Sequence, residues 1–155
     1  MESFEPAPAL QSTPVLDPTV FFAGRTRGDG HLRVRVGADQ IVKVNGVGRM
    51  EPDGRFRLDQ RVERTGGDVE SRTWFMTRTA SNRFVASLSD ASGDVHGEVD
   101  GSRFHVRYRI RQPAVYMEQW MYLQPDGRTV RNFAQVTVLG VPWARLTETI
   151  VRQLP

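Results

Sequence analysis

Apolar and polar residues alternate strictly along the stretch from Arg103 to Arg111. The even positions are apolar, and the odd positions are arginine or histidine. A period of two is typical of a β-strand with one buried face. Turn sequences stand before it, at Asp100-Gly101, and after it, at Pro125-Asp126-Gly127, where glycine permits a positive φ. The pattern therefore predicts an antiparallel meander in this part of the chain.

Similar alternation, punctuated by glycine-rich turns about every ten residues, continues along most of the chain. It predicts nine or ten strands, at residues 31–36, 40–50, 55–65, 69–79, 83–89, 95–99, 103–111, 116–124, 128–139 and 143–153. Gly28-Asp29-Gly30 is interpreted as a bend before the first strand, and Gln112-Pro113 as a break after the seventh. No window predicts a long amphipathic helix. The fold class is therefore all-β, as a single up-and-down antiparallel β-barrel of lipocalin-like architecture, because closure removes exposed sheet edges.

The apolar positions of the clearest strands predict the core of this barrel. They are Phe56, Leu58, Phe84, Leu88, Phe104, Val106, Tyr108 and Ile110. A chain of 155 residues with 39% hydrophobic content is long enough for one domain and too short for two comfortable ones. We assign the barrel domain to residues 19–155. Residues 1–18 are proline-rich and aperiodic, which predicts a flexible tail that is dispensable for folding.

Composition limits the cellular locations and the kinds of chemistry expected for the protein. No apolar run approaches the roughly 18–20 residues of a membrane-spanning helix, and the N-terminus lacks the pattern of a secretory signal. The absence of cysteine excludes disulfides, thiol nucleophiles and thiolate metal sites. These features are consistent with a cytoplasmic protein.

The net charge of +3 comes almost entirely from arginine, since Lys43 is the only lysine. Many arginines alternate along strands with acids interspersed, as on the solvated outer face of a sheet. Such a face could attract anionic partners. The small net charge and the absence of a nucleic-acid motif argue against specific nucleic-acid binding. Peripheral contact with an anionic membrane surface remains an alternative.

The sequence shows no catalytic or cofactor signature. His31, His96 and His105 lie on separate predicted strands without metal-ligand spacing, so surface histidines are expected rather than a metal site. There is no nucleophile elbow, phosphate-binding loop or dinucleotide fingerprint. We therefore assign no catalytic residue, no metal and no cofactor.

The segment 116–124 has two credible faces. One carries Glu118, Trp120 and Tyr122, and the other carries Met117, Met121 and Leu123. If the first face looks inward, it supplies an aromatic wall and a buried acid, for which Arg72 or Asn132 would be a natural partner. Trp74 stands in a segment that is equally ambiguous. The candidate ligand-binding residues are therefore Arg72, Trp74, Tyr108, Glu118, Trp120, Tyr122 and Asn132.

Several motifs together resemble the DUF3833 family of bacterial proteins of unknown function. They are Phe21-Phe22-Ala23-Gly24, the spaced residues Asp90, Gly93, Gly97 and Gly101, the segment Arg107-Tyr108-Arg109-Ile110, and Glu118-Gln119-Trp120-Met121-Tyr122-Leu123 followed by Asn132. The resemblance implies a lipocalin-like, or calycin-type, barrel. Many members are lipoproteins anchored through a cysteine, which this chain lacks. The family often shows paired aspartates where this chain has Glu118-Gln119.

Three functions follow as hypotheses. The first is non-catalytic binding of a small apolar or lipid-like ligand, such as a fatty acyl chain, inside the barrel. The second is an enzyme or accessory factor of lipid metabolism that uses Glu118, and it predicts that Glu118→Gln removes turnover but not binding. The third is an interaction module for anionic partners through the arginine-rich face, and it predicts salt-sensitive association. The oligomeric state is not readable from the sequence.

Overall fold

In the part of the chain that the structure describes, ten strands form a closed antiparallel β-barrel and one short helix precedes them. A computed structural model describes residues 7–111 and 114–153, so the predicted break at Gln112-Pro113 lies outside the described residues. The helix α1 is Pro18–Phe21. The strands are β1 Gly24–Val34, β2 Gln40–Met50, β3 Phe56–Arg64, β4 Val69–Ala80, β5 Arg83–Leu88, β6 Val95–Asp100, β7 Arg103–Arg111, β8 Val115–Leu123, β9 Thr129–Val138 and β10 Val141–Arg152.

Each strand pairs with its sequence neighbours, and β1 pairs with β10 to close the barrel. This confirms the predicted all-β, up-and-down barrel. Because consecutive strands run in opposite directions, their connections alternate between the two ends of the barrel. One end, here called the capped end, carries α1 and the turns β2–β3, β4–β5, β6–β7 and β8–β9. The opposite end carries the remaining turns and is called the open end.

The first strand is the main correction to the predicted strand boundaries. β1 begins at Gly24 and runs without interruption through Gly28 and Gly30, where the sequence predicted a bend. Both glycines pack closely against β10, and a Cβ at Gly28 would overlap the carboxylate of Glu148. These glycines therefore make room for a neighbouring side chain inside the barrel and do not bend the strand.

The core fills the capped half of the barrel. Phe56, Phe84 and Phe104 are almost completely buried, and Phe84 meets Phe104 edge to face at a centroid distance of 5.9 Å. Seven of the eight residues predicted for the core belong to the buried core cluster, and the eighth, Ile110, is partly buried and packs against it. The alternation along β3, β5 and β7 therefore identified the inward faces correctly.

Residues from the N-terminal segment close the capped end. Leu16 is fully buried in the core, and its backbone N–H donates to the carbonyl of Gly101. Asp17 caps α1 through Thr19 and lies 2.5 Å from Arg78, measured from Oδ2 to Nη2. Burial alone would raise the pKa of Asp17, but hydrogen bonds from Thr19 and Arg78 outweigh it and lower the pKa. The proposed division into a dispensable tail and a barrel domain stays a prediction, and Leu16 is the residue on which to test it.

In the described part of the chain, no helix has both the length and the apolar character needed to cross a membrane.

Candidate functional site

The barrel encloses a cavity of about 840 Å³ above the core. Phe22 forms part of its lining, next to inward side chains of the strands, most of them apolar. Val136, Val138 and Leu146 line the cavity near the open end and are only partly buried. The cavity is therefore closed by the core at one end and approaches solvent at the other.

Four polar side chains form a hydrogen-bonded chain within the lining of this cavity, here called the polar chain. Gln119 Nε2 donates to the Tyr108 hydroxyl oxygen at 3.1 Å. Asn132 Nδ2 donates to Gln119 Oε1 at 2.9 Å and to Glu148 Oε1 at 3.0 Å. The remaining acceptor of the amide, Asn132 Oδ1, is buried and has no hydrogen-bond partner among the described residues. A buried acceptor without a partner is unfavourable, so this oxygen is a weak point of the polar chain.

Glu148 is the acid of the polar chain, and its side chain is almost inaccessible to solvent. Burial raises the pKa of its carboxyl group, while the hydrogen bond from Asn132 and the charge of Arg72 act in the opposite direction. Burial also raises the pKa of Tyr108 to about 12, so its hydroxyl stays protonated at neutral pH. The polar chain therefore presents neutral donors and acceptors together with one carboxyl group that resists ionisation.

A second polar group in the cavity lining consists of charged residues. Arg72 Nε lies 2.8 Å from Asp90 Oδ2, and Arg64 forms an ion pair with Glu70. The Arg72–Asp90 contact is close but is not aligned as a hydrogen bond from Nε, so we describe it as an ion pair. Each arginine thus has a carboxylate beside it, which reduces the positive charge offered to a ligand.

The structure brings four of the seven sequence-predicted site residues together in the cavity lining. They are Arg72, Trp74, Tyr108 and Asn132. The indole Nε1 of Trp74 donates to Gln60 Oε1 at 2.9 Å, and its ring meets Tyr108 edge to face at 5.7 Å. Whether these residues bind a ligand stays a prediction.

The other three predicted residues face away from the cavity. Glu118 Oε2 lies 2.6 Å from His105 Nε2, and Trp120 stacks on the same imidazole at 5.4 Å. Tyr122 is buried on this outer side and packs edge to face against Phe133 at 6.1 Å. An inward Glu118 face on β8 is therefore wrong, and a role for Glu118 inside the barrel does not fit this geometry.

The pairing of β7 with β8 explains this orientation. Tyr108 lies opposite Met117, Val106 opposite Gln119, and Phe104 opposite Met121. Residues directly opposite each other in an antiparallel pair point to the same face. The inward face of β7 therefore turns the Met117 face of β8 inward.

Sequence reasoning missed Gln119 and Glu148. The sequence did contain a signal for Glu148. This residue occupies every second position along β10 together with Ala144, Leu146 and Ile150, which all face the inside of the barrel. An acid within an apolar alternation indicates a buried carboxyl group. Gln119 became recognisable only once the inward face of β8 was known.

The outer surface bears on the remaining hypotheses. Several outer arginines pair with acids, including Arg57 with Asp59 and Arg61 with Glu63, at 3.0 and 3.2 Å. Among the described residues, no group of three or more histidine, aspartate or glutamate side chains is arranged to hold a metal ion. The interaction-module hypothesis therefore stays a prediction.

Comparison with known proteins identifies the family. Residues 1–152 match the family described as "Protein of unknown function (DUF3833)". The chain belongs to the DUF3833 family. The resemblance seen in its sequence motifs is thus confirmed, and no curated protein matches the chain.

The solved structures that share the fold of this DUF3833 protein include two of low sequence identity. One is the S-type phycobiliprotein lyase CPES from Guillardia theta, with a TM-score of 0.68 and 10% identity, where the match covers 88% of this chain and 91% of the lyase. The other is a protein of unknown function from the DUF3598 family of Nostoc punctiforme, with a TM-score of 0.64 and 16% identity, where the match covers 90% of this chain and 50% of the other. At these identities the likeness is one of fold.

Proposed function

We propose that this DUF3833 protein binds one small, largely apolar ligand inside its barrel without covalent chemistry. The observation that carries this proposal is the cavity of about 840 Å³ with mostly apolar walls. This volume falls within the roughly 300–1,000 Å³ of typical ligand pockets. The likeness to a phycobiliprotein lyase agrees with a ligand-binding barrel but does not point to a particular ligand.

The polar chain gives the proposed ligand a preferred polar group. The carboxyl group of Glu148 lines the cavity and offers an acceptor, whereas Arg72 and Arg64 already have carboxylates beside them. An apolar molecule with a hydroxyl or amide N–H donor therefore fits better than one with a free carboxylate. Within the lipid-like class, this favours a long-chain alcohol or amide over a fatty acid.

Displacement of a fluorescent apolar probe tests the proposal. We expect saturable probe binding, and displacement by a long-chain alcohol at lower concentration than by the acid of equal length. Val136→Trp places a large ring in the cavity lining and should weaken binding about tenfold or more, because it removes space for the ligand. Thr137→Trp, at the neighbouring outward position of β9, is the matched control and should bind as the wild type.

Two results would contradict the proposal. One is the absence of saturable probe binding by folded protein, and the other is equal loss of binding in both tryptophan variants.

Mass spectrometry of molecules that co-purify with the protein would identify the natural ligand class. We also retain a cytoplasmic location as a prediction, testable by cell fractionation.

A measurement of substrate turnover distinguishes the enzyme alternative from simple binding. Glu118 lies outside the cavity beside His105, so Glu118→Gln should leave probe binding unchanged. If Glu118→Gln abolished turnover of a bound lipid-like substrate, the non-catalytic proposal would be wrong. The interaction-module alternative requires association with anionic partners that salt weakens while probe binding persists.

A further inference from the structure

The connection between β9 and β10 presents an unusual apolar surface at the open end. Residues 138–143, here called the apolar tip, read Val-Leu-Gly-Val-Pro-Trp. Leu139 is 71% exposed, Val141 43% and Trp143 41%. Single exposed apolar residues are common on proteins, but a continuous exposed run indicates an interaction surface.

The backbone of the apolar tip is not optimised for stability. Leu139 and Gly140 both have positive φ, of 50° and 79°. A two-residue hairpin turn with two positive φ values strongly prefers Asn-Gly, because leucine is strained in this conformation. A large apolar side chain therefore occupies a turn position where a polar residue would be more stable. Such strain at an exposed position supports a functional role for the side chain.

The apolar tip borders the mouth of the cavity. Val138 and Trp143 contribute to the cavity lining, as does Ala144 directly after the tip. The backbone N–H of Leu139 donates to the carbonyl of Ala114 at 2.9 Å, which ties the tip to the start of β8. A surface that contacts this tip therefore also contacts the entrance to the cavity.

Positive charge lies beside the apolar tip. Arg33 of β1 and Arg145 of β10 stand directly opposite each other across the strand pair. Arg35, after β1, donates from Nη1 to the carbonyl of Pro142 at 3.4 Å, so a third cation lies against the tip.

We propose that the apolar tip inserts into the surface of an anionic lipid bilayer and places the cavity mouth against the lipids. Leucine and valine would enter the acyl boundary, tryptophan would lie at the interface, where indoles are favoured, and the arginines would meet anionic headgroups. A second copy of the chain is the weaker candidate, because a hairpin tip is small compared with the roughly 800 Å² per partner of a stable interface. The proposal does not depend on a ligand in the cavity.

Co-sedimentation with vesicles tests the proposal on the full chain. We expect binding to phosphatidylcholine vesicles that contain phosphatidylglycerol, weaker binding to phosphatidylcholine alone, and weakening by salt. Val141→Asp should reduce binding about tenfold or more, since it replaces an inserting apolar side chain by an anion. Val69→Asp is the matched control, because Val69 is similarly exposed at 50% but begins β4 on the far side of the open end. It should bind as the wild type.

Leu139→Asn separates membrane binding from folding. Asparagine suits the turn, so this variant should be at least as stable as the wild type in thermal unfolding and yet bind vesicles several-fold more weakly. Arg33→Gln combined with Arg145→Gln should weaken binding to the anionic vesicles only. The proposal is overturned if wild-type protein binds neither vesicle, if Val69→Asp is as impaired as Val141→Asp, or if Val141→Asp alters only the oligomeric state. Probe binding is measured separately, without vesicles. It shows whether the ligand-binding proposal holds even if the membrane proposal fails.

Discussion

Glu148 is held in the barrel wall between a hydrogen-bond donor, Asn132, and a glycine, Gly28, whose missing side chain leaves space for the carboxylate. The raised pKa of Glu148 follows from this burial. An acid with a raised pKa in the folded state makes stability depend on pH in a specific direction. Well below the ordinary glutamate pKa, both states hold the proton and there is no loss of stability. As pH rises, the unfolded chain releases its proton first, so stability falls until the folded-state pKa is passed.

We therefore expect Glu148→Gln to be more stable than the wild type at neutral pH, because it removes the cost of ionising a buried carboxyl group. Glutamine keeps an acceptor for Asn132 and cannot ionise. The difference should shrink as pH falls towards the ordinary glutamate pKa. Denaturant unfolding at a series of pH values measures it, with Glu118→Gln as a control that changes an acid on the outer surface. Parallel pH profiles for wild type and Glu148→Gln would contradict the burial argument.

Trp74 and Trp120 differ in their position relative to the cavity, and this predicts different responses to a ligand. Trp74 lines the cavity, whereas Trp120 stacks on His105 outside it. Trp143 also lines the cavity, so both variants are made in a Trp143→Phe background. There, an apolar quencher bound in the barrel should reduce tryptophan emission in Trp120→Phe, and the change should be largely lost in Trp74→Phe. Emission titrations of both variants measure the effect. The reverse result would place the ligand on the outer face of β8.

At the scale of residues, the sequence predicted inward faces only where one face was charged. β7 alternates arginine or histidine with apolar residues, so its inward side was clear. β8 carries bulky side chains on both faces, including Trp120 outside and Met121 inside, and its orientation depends on its register with β7. Glu148 was missed for a related reason. A single acid among the alternating apolar positions of β10 does not by itself show that this position faces inward.

At the scale of elements, the N-terminal segment offers the clearest test. Leu16 is fully buried at the capped end, whereas Leu10 is 44% exposed. We expect Leu16→Ala to reduce the free energy of unfolding by about 2–5 kcal/mol, because it leaves a cavity in the core. Leu10→Ala should have little effect. Denaturant unfolding of both variants measures the difference, and a neutral Leu16→Ala would support a tail that is dispensable for folding.

Strand positions were predictable because the turns are chemically distinct. The predicted bounds of β2 and β7 agree with the structure, and the turns at Gly101 and Gly127 have the positive φ that favours glycine. β1 was predicted too short, because Gly28 and Gly30 suggest a bend when only the sequence is considered. In the barrel, their missing side chains instead leave space for side chains of β10. The short helix α1 was not predicted, because four residues give no periodic signal.

At the scale of the whole molecule, the barrel should unfold as one unit. Phe104 is only 3% exposed and contacts Phe84 across the core, whereas Tyr116 on the outer side of β8 lies against Arg107. Phe104→Ala should cost about 3–5 kcal/mol, and the transitions followed by fluorescence and by circular dichroism should stay coincident. Tyr116→Ala should cost much less. Near-neutral stability of Phe104→Ala would contradict the assigned core.

The pairing of β1 with β10 has a consequence for synthesis. These strands lie at opposite ends of the barrel sequence, and their contact is what closes the wall around the cavity. A ribosome-bound chain that still lacks β10 has two open sheet edges and no enclosed interior. We therefore expect the enclosed cavity to form only after translation of β10, and an interrupted chain to be a substrate for chaperones and proteases.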